Sequence, residues 1–129
     1  MPAANSLKVL VVDDQQTIRA LIRNSLKDLG VSVIEDAVDG EDALRKLLAG
    51  NFNLIISDYN MPKLDGLNLL RAVRAAPQLK QIGFIMLTGR ADTDLVKRAV
   101  QFGVNNYLVK PFTVATLRSK IEAVYGALT

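Results

Sequence analysis

At residues 8–12 the chain reads KVLVV, and two aspartates, Asp13 and Asp14, follow directly. The last four residues of this run are apolar and three of them are valine, which is typical of a buried β-strand. A strand that is apolar without alternation is covered on both faces, as the strands of parallel sheets are. This stretch therefore predicts a parallel sheet with polar side chains at the carboxyl end of its first strand.

The same arrangement recurs along the chain, with short apolar runs separated by segments whose apolar residues recur at helical spacing. The other runs predicted as strands are Val31–Ile34, Leu54–Ser57, Phe84–Leu87 and Tyr107–Val109. Thr113 is predicted to cap the last helix. Five strands alternating with five helices predict an α/β domain, a doubly wound parallel sheet with helices on both faces. The domain is expected at residues 8–129, after a short leader at 1–7.

The composition narrows the chemistry that the chain can perform. Its 129 residues suit about one domain, and they include neither Cys nor His. Disulfides, thiolate nucleophiles, thiol or imidazole metal sites and His-dependent triads are therefore excluded. A metal site would have to use oxygen ligands, which favours Mg²⁺. The net charge is +3, and the basic residues are scattered along the chain. We therefore expect them to lie on an ordinary solvated surface.

The chain carries no recognisable targeting segment. Its start lacks the pattern of a signal peptide, and its apolar runs are shorter than the roughly 20 residues of a membrane span. We therefore expect a cytoplasmic protein with no membrane span. Since no residues remain after the fifth helix for another unit, we also expect no DNA-binding domain.

Functional side chains follow four of the five predicted strands. Asp13 and Asp14 follow the first strand, Asp58 the third, Thr88 the fourth and Lys110 the fifth. In such sheets ligands bind beyond the carboxyl ends of the strands. Three carboxylates close together repel one another, and a Mg²⁺ ion with one lysine ammonium would balance their charge. A carboxylate can also be a nucleophile toward phosphorus, so this set predicts phosphoryl chemistry.

Each of these residues also has an ordinary structural interpretation. Asp14 could cap the first helix, Asp58 could begin a turn, Thr88 could bond to local backbone, and Lys110 could be a surface lysine. The pair Glu35-Asp36, which follows the second predicted strand, is interpreted as solvated. Because Asp14, Asp58, Thr88 and Lys110 are all expected at one rim of one sheet, a shared functional site is favoured over four separate structural explanations.

Four short motifs, in this order and spacing, resemble the receiver domain of two-component response regulators. They are Val11-Val12-Asp13-Asp14, Ser57-Asp58-Tyr59-Asn60-Met61-Pro62 with Asp65-Gly66, Leu87-Thr88-Gly89, and Tyr107-Leu108-Val109-Lys110-Pro111-Phe112. Within that family the chain is most similar to single-domain chemotaxis regulators of the CheY type. The resemblance covers nearly the whole chain and implies the strand order 2-1-3-4-5.

The resemblance implies a phosphorylation site and a metal site. Asp58 would be the phospho-acceptor. Asp14 and Asp58 would ligate Mg²⁺ directly together with the backbone carbonyl of Asn60, and Asp13 would act through a bound water.

The resemblance also implies a switch. Lys110 would pair with the acceptor carboxylate and then with the phosphoryl oxygens, across a cis Lys110–Pro111 bond. Thr88 would move to hydrogen-bond the phosphoryl group, and Tyr107 would turn inward behind it. Two residues depart from the commonest pattern of the family: Gly89 stands where Ala is usual and leaves access open, and Arg90 is a cation at a variable position that influences dephosphorylation.

The partners follow from the same resemblance. Because the chain has no His, a phosphohistidine donor must lie on a separate histidine kinase. Phosphorylation would change the binding of an output protein at the face formed by the fourth helix, fifth strand and fifth helix. A flagellar-motor switch is the leading candidate, while relay shuttling and kinase regulation stay open. Oligomeric state and the binding of a nucleotide second messenger are not predicted.

Two other function classes are weighed against this switch. A small phosphohydrolase of the haloacid-dehalogenase type also uses an aspartate nucleophile, but Ser57-Asp58-Tyr59-Asn60-Met61 lacks the second Asp of that pattern. A flavodoxin-like module that holds a nucleotide or flavin would need a glycine-rich phosphate loop after the first strand, where Asp13-Asp14-Gln15-Gln16 stands instead.

Overall fold

The computed structural model describes residues 4–61, 63–89 and 93–126. Within these ranges the strands are β1 (Lys8–Val12), β2 (Val33–Ala37), β3 (Leu54–Asp58), β4 (Gly83–Thr88) and β5 (Asn106–Val109). The α-helices are α1 (Gln16–Asp28), α2 (Gly40–Ala49), α3 (Gly66–Ala75), α4 (Thr93–Gln101) and α5 (Val114–Tyr125). A short 3₁₀ helix, Ala4–Ser6, precedes β1.

The five strands form one parallel sheet in the order β2-β1-β3-β4-β5. The predicted doubly wound α/β fold and its strand order are confirmed. The register aligns the strand ends, because Val12 pairs with Ser57 and Thr88 pairs with Val109. Asp13 and Asp58, the next residues along β1 and β3, therefore leave the sheet beside each other.

The core lies on both sides of this sheet. Val9 and Val11 of β1 belong to the buried cluster that contains the inner residues of α1 and α5. Leu10 and Val12 belong to a second cluster, which contains the inner residues of α2 and α3. Alternate residues of one strand thus face opposite layers, which explains why the strand is apolar throughout.

Side-chain caps begin three of the helices. Asp39, Asp65 and Thr113 each accept a hydrogen bond from a backbone N–H in the first turn of α2, α3 and α5. The predicted cap at Thr113 is confirmed. The N-cap of α1 is Gln15, without a side-chain capping bond, so the interpretation of Asp14 as the cap is wrong.

The position of the second strand was predicted incorrectly. The apolar run suggested Val31–Ile34, but β2 covers Val33–Ala37, and Glu35 and Asp36 lie inside it. β2 is an edge strand, and it leaves Glu35 exposed and Asp36 half-buried. Asp36 is not simply solvated, because it forms ion pairs with Arg19 and Arg23 of α1. Of the other four strands, β1 has the predicted bounds, and β3, β4 and β5 differ from the prediction by at most one residue at either end.

The described part of the segment before β1, residues 4–7, packs onto the domain. Ala4 and Leu7 are buried in the cluster between the sheet and the α1 and α5 helices. Among the described residues, none of the helices combines the length and the apolar character needed to cross a bilayer.

Candidate functional site at the carboxyl edge of the sheet

Three carboxylates meet where β1 and β3 end. Asp13, Asp14 and Asp58 each place an oxygen so that all three atoms lie within 4.8 Å of one another. Asp13 and Asp58 are buried, whereas Asp14 is exposed. The structure therefore brings together the three acidic residues that the sequence singled out.

Asp13 is fully buried and only partly satisfied. Its Oδ1 accepts a hydrogen bond of 2.8 Å from the backbone N–H of Gln15, while its Oδ2 has no hydrogen-bond partner among the described residues. Burial raises the pKa of the Asp13 carboxyl, and the negative charges of Asp58 and Asp14 raise it further. The bond from Gln15 and the charge of Lys110 act in the opposite direction.

The side chain of Lys110 faces two of the carboxylates. Its Nζ lies 3.2 Å from Oδ1 of Asp58 and 3.8 Å from Oδ2 of Asp13. Its backbone N–H donates to the carbonyl of Thr88 at 2.8 Å, which extends the β4–β5 pairing to the strand end. The Lys110–Pro111 peptide bond is cis, as the resemblance implied.

Thr88 and Tyr107 lie on the neighbouring strands. Thr88 is the buried last residue of β4. Tyr107 is half-buried on β5, packs against the cluster on the α2 and α3 side of the sheet, and has the Nζ of Lys120 from α5 4.9 Å from its ring centroid. The proposed inward turn of Tyr107 remains a prediction.

The remaining residues named from the sequence lie around the rim. Asn60 is exposed in the β3–α3 loop, two residues after Asp58. A Cβ placed on Gly89 would meet no described atom within 4 Å, so the chain is uncrowded directly after Thr88. Arg90 lies outside the described residues.

Gly66 has a structural role that its place in a motif did not reveal. A Cβ at this position would press on the carbonyl oxygen of Asp58 and lie 2.8 Å from Met86 Sδ and 2.9 Å from Tyr59 Cα. The N–H of Gly66 donates to the carbonyl of Tyr59 at 2.8 Å. Glycine therefore lets α3 begin directly against the end of β3, which fixes the backbone that carries Asp58.

Arg19 was missed entirely by the sequence analysis. Its Nη1 donates to the backbone carbonyl of Asp13 at 2.7 Å, and its Nε lies 3.4 Å from Oδ2 of Asp36. One contact is with a backbone carbonyl and the other is with a different element of the fold, so periodicity and capping patterns contain no signal for them.

The donor set suits a hard divalent cation. The carboxylate oxygens of Asp13, Asp14 and Asp58 are the ligand type that Mg²⁺ prefers. The Oδ2 atom of the buried Asp13 accepts no hydrogen bond from the described residues, so it has lone pairs to offer a metal ion. The residues present therefore fit the magnesium site that the sequence predicted.

The family model described as "Response regulator receiver domain" matches residues 9–122. The chain belongs to this receiver family. The receiver is 48% identical over 128 residues to a probable chemotaxis protein CheY of Rhizobium etli, a match that covers 99% of each chain. It is 46% identical to the chemotaxis protein CheY of Pseudomonas aeruginosa over 92% of this chain and 96% of that protein.

Solved structures agree with the fold of this receiver. Vibrio cholerae chemotaxis protein CheY4 superposes with a TM-score of 0.86 at 37% identity, over 92% of this chain and 98% of that one. The receiver domain of the Pseudomonas aeruginosa sensor histidine kinase PA1611 superposes with a TM-score of 0.84 at 29% identity, over 94% and 98% of the two chains. That structure is described with a magnesium ion coordinated in its active site cleft.

These relationships establish the broad function. The chain is a CheY-like receiver, a phosphorylation-dependent switch of two-component and chemotaxis signalling rather than a classical enzyme. This membership favours the switch over the phosphohydrolase and over the nucleotide-binding module.

Proposed function

We propose that Asp58 accepts a phosphoryl group from a phosphohistidine on a partner histidine kinase. The observation that carries this proposal is the position of Asp58 at the end of β3, clustered with Asp13 and Asp14 and 3.2 Å from the ammonium of Lys110. Thus a carboxylate nucleophile, two further acidic ligands and a cation meet at one edge of the sheet.

The transfer exchanges one bond for another. A carboxylate oxygen of Asp58 forms a bond to phosphorus while the bond from phosphorus to the imidazole nitrogen of the donor breaks, and the imidazole leaves with the electron pair. The ammonium of Lys110 then lies where it neutralises charge on the phosphoryl oxygens, as preorganised cations do in phosphoryl transfer.

Asp13, Asp14, Asp58 and the backbone carbonyl of Asn60 would hold the Mg²⁺ ion, with Asp13 acting through a water. When bound, the ion supplies positive charge that offsets the repulsion among the carboxylates and the phosphoryl oxygens. Lys110, which contacts both Asp58 and Asp13, contributes to the same charge balance from the β5 side.

The switch would run from Asp58 to the outer face of α4, β5 and α5. Phosphorylation changes the local charge from −1 to about −2 and adds acceptor oxygens, with which the hydroxyl of Thr88 then forms a hydrogen bond. Tyr107 then turns inward, away from Lys120, and the face changes its affinity for an output protein. A flagellar-motor switch is the first candidate for that protein, and relay shuttling or kinase regulation are the alternatives. We place this exchange in the cytoplasm.

Acetyl phosphate with Mg²⁺ tests the acceptor directly. Phosphate-affinity gel mobility should shift for the wild-type protein and not for Asp58→Asn. Glu35→Gln, which removes an exposed carboxylate on β2, is the matched control and should shift like the wild type. A wild-type protein that never shifts, or an Asp58→Asn protein that still does, would refute the assignment.

The output face has its own experiment. The beryllofluoride-activated protein and the protein with Mg²⁺ alone are immobilised separately and challenged with the same candidate partners. Retention of a partner in only one of the two states supports the switch, and equal retention in both states contradicts it.

A further inference from the structure

The backbone of Asp13 is held by hydrogen bonds on both sides of the residue. Its N–H donates to the carbonyl of Ala37 on β2 at 3.1 Å, and its own carbonyl accepts from Nη1 of Arg19 at 2.7 Å. The side chain of Arg19 is only 13% exposed. A charged donor in a partly desolvated place makes a stronger bond than a neutral one.

The guanidinium of Arg19 is itself fixed by a counterion. Its Nε lies 3.4 Å from Oδ2 of Asp36, and Oδ1 of Asp36 accepts from Arg23, one helical turn further along α1. Asp36 pairs in register with Val11, so its backbone belongs to the same sheet as β1. Arg19 therefore connects the turn after β1 to the edge strand β2.

This connection opposes a force that the site itself creates. Asp13 and Asp14 are neighbours in sequence, and each has an oxygen within 4.8 Å of an oxygen of Asp58. Mutual repulsion of the three carboxylates favours a turn that moves away from β3. The guanidinium of Arg19 donates a hydrogen bond from Nη1 to the Asp13 carbonyl and forms an ion pair with Asp36, and a planar group held at both places resists that movement better than a single point charge would.

We propose that Arg19 is a positioning residue for the metal site, and that it sets the affinity for Mg²⁺ by holding the Asp13-Asp14 turn against Asp36. The inference rests on the proposed function, because it assigns a role toward the same carboxylates. Positioning and simple electrostatics predict opposite changes in Mg²⁺ affinity when Arg19 is replaced. Loss of a positive charge near an acidic site would by itself strengthen cation binding, whereas loss of the positioning contact weakens it.

The test compares Arg19→Gln with Arg23→Gln by titrating each full-length protein with Mg²⁺ alone and following backbone amide shifts by NMR. Arg23 is the matched control, because it lies on the same helix and shares the counterion Asp36, but donates to the carbonyl of Ile34 rather than Asp13. We expect Arg19→Gln to bind Mg²⁺ about 10-fold more weakly, as for other residues that orient metal ligands, and Arg23→Gln to stay within about 2-fold of the wild type on the same reasoning.

A conservative variant separates positioning from charge. Arg19→Lys keeps the charge but lacks the planar guanidinium that hydrogen-bonds the Asp13 carbonyl while it pairs with Asp36, so its Mg²⁺ affinity should fall between those of the wild type and Arg19→Gln. In the metal-free Arg19→Gln protein, the amide of Gln15, which donates to Asp13, should also shift.

Unchanged or tighter binding in Arg19→Gln would overturn the proposal, and so would equal weakening in Arg23→Gln, since that indicates general loosening of α1. If Arg19→Gln does not fold, Arg19→Lys decides, and wild-type affinity there overturns the role. A wild-type protein that does not bind Mg²⁺ would instead refute the proposed metal site together with this inference, so the two failures are distinguishable.

Discussion

The polar side chains at the two ends of the sheet are hydrogen-bonded to very different extents. At the carboxyl end, Asp13, Asp14 and Asp58 face one another, and one oxygen of Asp13 has no hydrogen-bond partner among the described residues. At the amino end, the guanidinium of Arg74 on α3 and the hydroxyl of Tyr125 on α5 both donate to backbone carbonyls.

At the amino end, the guanidinium of Arg74 donates four hydrogen bonds. Its Nε donates to the carbonyl of Gly103 at 2.9 Å, its Nη1 to the carbonyls of Lys80 and Ile82, and its Nη2 to Oδ1 of Asn105. One side chain thus connects α3 to the segments that enter β4 and β5. Burial lowers the pKa of Arg74, and the nearby Tyr125 acts in the opposite direction.

This difference suggests that the amino end of the sheet contributes to stability, whereas the carboxyl end is available to bind a ligand. Polar groups that pair with each other stabilise the domain but have no capacity left for a ligand. At the other end three carboxylates face the single ammonium of Lys110, so we expect their repulsion to oppose folding when no metal ion is bound, and the negative charge left over is what a metal ion can use. The amino end should therefore lose stability when it is altered, and the carboxyl end should gain it.

The largest expected effect is at the amino end. Arg74→Ala removes four hydrogen bonds from a charged donor, and we expect the free energy of unfolding to fall by about 3 kcal/mol in a urea titration. Mg²⁺ affinity in the folded protein should not change. The matched control is Arg71→Ala, one turn earlier on α3, which removes a contact of 5.0 Å with the Phe102 ring worth about 0.5–1 kcal/mol. Equal losses in the two variants would contradict the comparison.

An intermediate effect of opposite sign is expected at the carboxyl end. Burial raises the pKa of Asp13 in the folded state above the roughly 3.9 of the unfolded chain. The folded protein therefore binds more protons than the unfolded chain between these two pKa values, and the free energy of unfolding falls as pH rises through that window. Asp13→Asn removes this loss, so without metal we expect a gain of about 1 kcal/mol at pH 7.

Addition of Mg²⁺ should make the wild type more stable than Asp13→Asn, the reverse of the order expected without metal. The wild type should gain about 2.7 kcal/mol at a concentration 100-fold above its Kd, while Asp13→Asn gains less. Thermal or urea unfolding with and without Mg²⁺ measures both effects. Asp14→Asn, at an exposed carboxylate, should change metal-free stability less than Asp13→Asn. A destabilised Asp13→Asn protein without metal would show that the carboxyl end does not oppose folding.

The smallest effect concerns Tyr125. Tyr125→Phe removes the hydrogen bond to the carbonyl of Asn53, which should lower the free energy of unfolding by about 0.5 kcal/mol at pH 8. Burial raises the pKa of Tyr125 in the folded state above its usual value of about 10. The stability from the neutral phenol is therefore complete below pH 10 and is lost as pH rises beyond it. Urea titrations at pH 8 and 10.5 should show the difference between the two proteins narrowing, whereas parallel curves would refute the role of burial.

The sequence predicted the fold well because strands and helix starts are marked by short patterns of neighbouring residues. Apolar runs identified all five strands, and caps such as Thr113 identified a helix start. The position of each strand end then predicted that Asp13, Asp58 and Lys110 would meet, which the structure confirms. The roles assigned to these residues in phosphorylation came from the family resemblance and stay predictions.

What the sequence could not predict depends on contacts between distant residues. β2 was misplaced because Glu35 and Asp36 are polar, and the arginines of α1 that pair with Asp36 are 13 or more residues away. Arg19 and Arg74 look like ordinary helix-surface residues in the sequence. Their functions become visible only when the fold brings a carbonyl of another element within reach.

The open space beside Gly89 has a practical consequence. A side chain there would meet no described atom within 4 Å at its Cβ, and the chain contains neither cysteine nor tryptophan. A single cysteine introduced at this position would be the only thiol in the protein, so one fluorophore or spin label could be attached there without first removing any other. The label would sit one residue from Thr88, beside the carboxylate that we propose as the phosphoryl acceptor.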